Sequence, residues 1–268
     1  MRVPAWDESS MLQREKEVLG FYVSSHPLDR WSEEIERFAN VDTTTLPDVE
    51  QSKRVIVGGL IKQVRMVTTK KGDRMAIMTF EDRLGVMDCV LFPRTYGDCS
   101  ELLKTDSIVF VIGEVDHSRG EPQLIVERIV PVERAGSCLA TGIELRFVPD
   151  DSMNNPERVL EMIAGMLRSR SAAMPVGGTS GEKPVPVTVV LGLETGTYAL
   201  RSERIRVVPG GDLVRDLREI VGAGNVRVVG GMPIERVDRN ARWGNGNGRN
   251  GANGTGARQG AMAGAAGR

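Results

Sequence analysis

A chain of 268 residues with 40% hydrophobic content is long enough for two ordinary domains with cores of their own. Thirty-five Lys and Arg against 36 Asp and Glu leave a net charge of −1, which excludes a global basic field and confines any nucleic-acid contact to local patches. Three cysteines without paired spacing exclude a disulfide framework and a cysteine zinc site, and no apolar run approaches the ~20 residues of a membrane helix, so a soluble protein of a reducing cytoplasm is expected.

Taken in order, residues 1–52 read as a helical lead-in and linker. Asp7 to Gly20 has helical spacing, with Met11, Leu12, Val18 and Leu19 on one face, and Glu33 to Phe38 continues as a short helix. Asn40 to Ser52 then links it to the next unit.

Residues 53–134 read as a complete small β domain. Val55 to Val67 is an apolar, β-branched run, and its paired Gly58-Gly59 suits a bulge in a bent first strand. Arg74 to Asp82 alternates with period two, placing Ala76, Met78 and Phe80 on one face and Ile77, Thr79 and Glu81 on the other. Strands over Val86–Phe92, Ser107–Val115 and Gln123–Val132 follow, with a helix over Tyr96–Lys104 between the third and fourth. Five strands with that helix predict a five-stranded OB-fold barrel, which commonly binds oligonucleotides across strands two and three and between the one-two and four-five loops.

Glu133 to Thr141 reads as a linker to a small α+β domain over residues 143–230, in the order β-α-β-β-α-β. Its strands are Ile143–Val148, Val185–Leu193, Thr197–Val208 and Asn225–Val229, and its helices Pro156–Arg168 and Asp212–Val221. That order predicts a ferredoxin-like split unit with both helices on one face. Ser169 to Pro184 reads as a mobile loop, and residues 235–268, rich in Gly, Asn, Ala and Arg, as a disordered tail. Six arginines against Glu235 and Asp238 make that tail positive, although a solvated tail is the plainer reading.

Several stretches carry a family resemblance. The run Glu15-Lys16-Glu17-Val18-Leu19-Gly20-Phe21-Tyr22-Val23-Ser24-Ser25-His26-Pro27-Leu28, then Thr69-Lys70-Lys71-Gly72-Asp73-Arg74-Met75-Ala76, then Glu81-Asp82-Arg83-Leu84-Gly85, resemble in order and spacing the bacterial DNA polymerase III alpha subunit. The resemblance covers about Glu15 to Val229, the C-terminal portion of that family. It implies single-stranded template DNA as ligand of the OB domain, and the clamp-loader tau subunit and other polymerase III holoenzyme subunits as partners. No short motif in the chain marks the tau contact, and the family's sliding-clamp motif is not found between Met1 and Arg14.

No catalytic residue, metal site or cofactor is predicted. Two histidines, His26 and His117, cannot build the multi-histidine site of the family's phosphoesterase-like domain, and no Asp-x-Asp is present for a polymerase palm. His26, before Pro27, reads as a capping or packing residue. For nucleic acid the candidates are Lys62, Arg65, Lys70, Lys71 and Arg74, in or beside the one-two loop, with Glu81 and Asp88 opposing them. Phe80 and Phe92 are the aromatic residues considered for stacking, and Phe80 reads as core. The alternative from another class is a stand-alone OB-containing protein-protein adaptor.

Overall fold

The computed structural model describes residues 18, 25–148, 156–172, 181–193, 195–231 and 235–236. The helix predicted over Asp7–Gly20, most of the predicted Ser169–Pro184 loop and the tail beyond Arg236 lie outside the described residues.

The lead-in contributes one helix, α1 (Ser32–Phe38), which buries Phe38. Next come β1 (Lys53–Thr68), β2 (Arg74–Glu81) and β3 (Val86–Leu91), then helix α2 (Pro93–Cys99), then β4 (Ile108–Asp116) and β5 (Gln123–Pro131). β1 is long enough to serve two partners. Its first half pairs antiparallel with β4, from Arg54↔Glu114 to Leu60↔Ile108, and its second half with β2, from Leu60↔Glu81 to Thr68↔Arg74. β2 pairs with β3, β3 runs parallel to β5, and β5 pairs with β4, so the series of pairings returns to β1.

The alternation read in β2 is the alternation that forms. Ala76, Met78 and Phe80 are each 0% exposed and pack with Val55, Val57, Ile61, Cys89, Leu91, Val111 and Leu124 in the interior enclosed by the five strands. The predicted role of Gly58-Gly59 is different from the one that forms. The bulge lies further on, between Ile61 and Gln63, and the glycines sit where β1 changes partner. A Cβ on Gly59 would collide with the Glu81 carbonyl and lie 2.9 Å from the Phe80 ring, and one on Gly58 would lie 2.9 Å from Phe110 Cε1. Close backbone approach, not bending, is what requires glycine there.

The stretch predicted as the Glu133–Thr141 linker is packed structure. A 3-10 turn at Val132–Arg134 leads into α3 (Ala135–Leu139), and Ala135, Cys138 and Leu139 are buried. Small and apolar residues at these positions let the chain lie against the barrel.

The second sheet holds β6 (Gly142–Phe147), β7 (Val185–Leu193), β8 (Gly196–Val207) and β9 (Val226–Val229), with helices α4 (Pro156–Ala172) and α5 (Gly211–Val221) between them. The predicted element order forms, but the ferredoxin-like split does not. The sheet runs β8-β7-β6-β9, so β6 and β7, joined through α4, are parallel neighbours with no strand inserted between them. Element order alone does not fix strand order, and an unsplit crossover gives the same succession of elements. Ile143, Leu145, Phe147, Val187, Val226 and Val228 turn to the helix side, where Ile163, Leu167, Leu213 and Leu217 are buried with them. Arg170 and Asp216, 3.1 Å apart, tie α4 to α5. Glu235–Arg236 (β10), inside the predicted tail, pair with Arg54 and Lys53 at the start of β1.

The described elements belong to one compact unit, Met1–Val237. A single apolar cluster joins its two sheets: Ile56, Phe110, Ile112 and Val130 from the outside of the barrel, Phe38 from α1, Ala135 and Leu139 from α3, and the helix-facing core of the second sheet. Gly59→Ala is expected to destabilise the chain by about 1–3 kcal/mol through overpacking against backbone that cannot retreat. Urea unfolding of the variant measures it, and an unchanged midpoint would contradict the close approach.

Candidate nucleic-acid interface

The barrel has two outer surfaces of different character. Over the first half of β1, β4 and β5 the outer side chains are Ile56, Phe110, Ile112 and Val130, all buried under α1, α3 and the second unit. Over the second half of β1, β2 and β3 no such cover is seen among the described residues. Register puts Gln63, Thr79 and Asp88 in one row across this free face, Arg65 and Ile77 in the next beside Val90, which is itself buried at 4% exposure and marks the edge of the free area, and Glu81 beside Val86 at its end. Val86 is 56% exposed.

The five candidate cations fall at three kinds of position. Lys62 is the bulge residue, and its Nζ lies 2.9 Å from Glu81 Oε2, so it is already engaged by one of the carboxylates expected to oppose it. Arg65 stands on the free face opposite Ile77. Lys70 and Lys71 are the two central residues of the β1–β2 turn, in which the Gly72 N–H donates to the Thr69 carbonyl at 2.9 Å and Gly72 takes a φ of 88°. Arg74 pairs with Thr68, an odd number of residues from Ile77, and so points to the other side of the ribbon from Arg65. All five are exposed, and among the described residues Arg65, Lys70, Lys71 and Arg74 have no carboxylate partner.

Of the two aromatic candidates, Phe80 is interior at 0% exposure, as its neighbours imply, while Phe92 is 49% exposed. Phe92 has extended backbone directly after β3 and continues the Val86-Asp88-Val90 alternation toward the free face. Thr79 lies opposite Asp88, their side-chain oxygens 3.4 Å apart. Gln63, in the same row, carried no charge or aromatic signal in the sequence; only the bulge at Lys62 puts it on this face.

The residues bordering the face explain themselves structurally. Asp82, 8% exposed, accepts from Thr43 N and Oγ1 at 2.7 Å each, from Leu84 N at 2.7 Å and from Gly85 N at 2.9 Å. One carboxylate thus closes the β2–β3 turn and anchors the lead-in to it, while neighbouring Arg83 pairs with Asp29. At the β4–β5 loop, Asp116 accepts from Gln51 Nε2 and Gln123 Nε2 at 3.0 Å each and from Ser118 Oγ at 2.8 Å. The hydrogen bond from Gln51, with those from Gln123 and Ser118, holds this carboxyl well below the usual carboxylate range. His117 Nε2 lies 2.7 Å from the Val49 carbonyl, and His26 Nδ1 accepts from Leu28 N at 3.2 Å. His26 serves local backbone, and His117 ties the β4–β5 loop to the lead-in at Val49. Among the described residues no group of His, Cys, Asp and Glu is arranged to hold a metal ion, and no helix is long and apolar enough to cross a membrane.

A family model described as OB-fold nucleic acid binding domain matches residues 55–132. The DNA polymerase III subunit alpha of Pseudomonas fluorescens is 31% identical over 217 residues, which are 80% of this chain and 17% of that protein. The subunit of the same name from Escherichia coli K12 is 27% identical over 230 residues, 83% of this chain and 18% of its own length. The chain therefore spans under a fifth of the length of these relatives. A solved mitochondrial single-stranded DNA binding protein of S. cerevisiae, Rim1, matches 31% of this chain and 95% of its own at 13% identity, with a TM-score of 0.25.

Asp82→Ala should cost about 2 kcal/mol, because it takes a buried, charged acceptor from four part-buried hydrogen bonds at once, and it should speed proteolysis near Thr43. A loss under about 0.5 kcal/mol in urea melts, the range of an ordinary surface substitution, would remove Asp82 from this role. For Asp116 the folded value lies below the unfolded value of about 3.9, so its contribution is complete above that pH and is lost as pH falls through the folded value. Carboxyl NMR titration should find it depressed in the wild type and moved upward in Gln51→Ala.

Proposed function

Because the chain matches the C-terminal, OB-bearing portion of the bacterial DNA polymerase III alpha subunit, we propose that its barrel, residues 53–134, holds single-stranded template DNA during replication and performs no nucleotide incorporation itself. The observation that carries this reading is the division of the barrel surface: one outer side is buried, and the other leaves Arg65, Lys70 and Lys71 exposed without carboxylate partners among the described residues. Lys62 joins them once Glu81 yields to a phosphate, and Arg74 reaches the strand from the opposite side of the ribbon. Phe92 offers half of a ring for stacking a base.

The unit over residues 143–230 is proposed to contact the clamp-loader tau subunit within the polymerase III holoenzyme, in the cytoplasm; support for this is the resemblance and the position of the unit in the chain. A second reading, a protein-protein adaptor with a blocked OB face, draws on the Lys62–Glu81 ion pair, which neutralises one of the cations, and on Asp88, a carboxylate on the same face.

Fluorescence anisotropy of labelled oligo-thymidine at several salt concentrations tests the main reading. Each phosphate contact contributes about −0.7 to the slope of log affinity against log salt, so Lys70→Ala with Lys71→Ala should weaken binding at low salt and flatten the slope by roughly one unit or slightly more. Glu81→Gln with Asp88→Asn should strengthen it, which the adaptor reading does not require. Affinity indifferent to all four substitutions would move the site elsewhere. Primer extension with the purified chain and magnesium should yield no product. Because residues 143–230 share a core with the barrel, the decisive outcome of deleting them is survival: capture by tau that persists without them would sink the partner assignment.

A further inference from the structure

From the second sheet we infer a second nucleic-acid contact: its helix-free face, carrying Arg146, Arg201, Arg206 and Arg227, binds the phosphate backbone of single-stranded DNA extending beyond the barrel. The inference rests on the proposal that this chain works on DNA, and it concerns a surface outside the OB face.

Strand alternation sorts the sheet cleanly. Ile143, Leu145, Phe147, Val185, Val187, Val207, Val226 and Val228 are buried on the helix side. The residues between them point the other way. Register aligns Arg227, Glu144, Thr188 and Arg201 in one row across β9, β6, β7 and β8, Arg146 with Val190 and Ala199 in the next, and Arg206 opposite Pro186 beyond the irregularity in β8. All four arginines are exposed, and among the described residues none has a carboxylate partner. Arg37, Arg54, Arg83, Arg134, Arg170 and Arg215 are in ion pairs, whereas Arg94, Arg119, Arg168 and Arg218 are, like these four, without a carboxylate partner among the described residues; what distinguishes the four is that they share one side of one sheet. Of the described carboxylates near these arginines, Glu144 is half-buried between strands, and Glu203 stands exposed on β8 two residues beyond Arg201, in its irregular stretch.

Four cations beside Glu144 and Glu203 leave this side of the sheet net positive, which suits an anionic occupant. Its chemistry follows from what else the face carries. Thr188, Val190, Gly192, Thr197 and Ala199 are small or short, with Val148 beside Gly192, and among the described residues the face has no aromatic or long apolar side chain to fill a partner's pocket, which protein interfaces depend on for most of their energy. A shallow surface of small residues under fixed charges suits a backbone that lies flat. With strands about 4.8 Å apart, Arg227 and Arg201 stand about 14 Å from each other, a span that several nucleotides cross and a single anion does not. The charges are all arginine, whose planar fork grips phosphate in two hydrogen bonds.

The test uses the full chain, oligo-thymidine of about 10 nucleotides, within the site size of one OB fold, and of about 40 nucleotides. In Arg146→Gln/Arg201→Gln/Arg227→Gln the salt slope for the long oligonucleotide should shrink by about 2, three contacts at about 0.7 each, while binding of the short one stays as in the wild type. Lys70→Ala/Lys71→Ala should weaken both. If the triple variant melts early, Arg201→Gln alone on the edge strand should shrink the long-oligonucleotide slope by about 0.7. An unchanged long-oligonucleotide slope overturns the inference, as does equal weakening of both lengths, which is the signature of a diffuse field. Loss of poly-glutamate binding with DNA binding intact overturns it in favour of an acidic protein partner. Failure of the wild type to bind the short oligonucleotide would sink the barrel reading instead, and leave the sheet to be judged on the long one.

Discussion

The contact between Phe38 and Phe110 is the hinge of the architecture. The rings meet edge to face, centroids 5.9 Å apart at 83°, with Phe38 1% and Phe110 0% exposed. Phe110 points out of the barrel, as do Ile56, Ile112 and Val130, so a barrel alone would leave this apolar side in water. α1 supplies Phe38 as the first cover, α3 adds Ala135 and Leu139, and Gly230 after β9 closes on the Phe38 ring so tightly that no Cβ fits. The second sheet is therefore bound to the barrel by a shared core, and covering one side of the barrel defines which side stays free.

Local periodicity was legible in the sequence wherever a strand had one wet and one dry face. β2 shows it best: Ala76, Met78 and Phe80 follow the period of two because both ends of the strand are fixed by turns. Relations between elements were not legible in this way. Nothing in the order of strands and helices between Gly142 and Val229 distinguishes an inserted strand from an adjacent one; that is decided by which edge β9 joins, and it joins β6. Glu133–Thr141 reads as a linker in the sequence, whereas the small size of Gly136 and Ser137 is what allows it to pack closely.

The site was legible by residue type and not by direction. Five cations near one loop were visible in the sequence, but the bulge at Lys62 decides which of them share a face, and that bulge has no glycine to announce it. The Glu81-Asp82-Arg83-Leu84-Gly85 run, which carried part of the family resemblance, is explained mainly by architecture: Asp82 ties the turn to Thr43, Arg83 ties it to Asp29, and Gly85 leaves room for Thr43. A motif shared with nucleic-acid-handling relatives is thus not by itself a list of residues that touch nucleic acid.

Charge, finally, is arranged rather than abundant. The chain is close to neutral, yet the free barrel face and the helix-free side of the second sheet each carry several exposed cations without a carboxylate partner among the described residues. Few phosphate contacts mean modest affinity with a shallow salt dependence. In the proposed setting that is sufficient: a module joined to a polymerase already on its template meets DNA at high effective concentration, and two weak surfaces in one compact unit then add without either gripping hard enough to stall a moving strand.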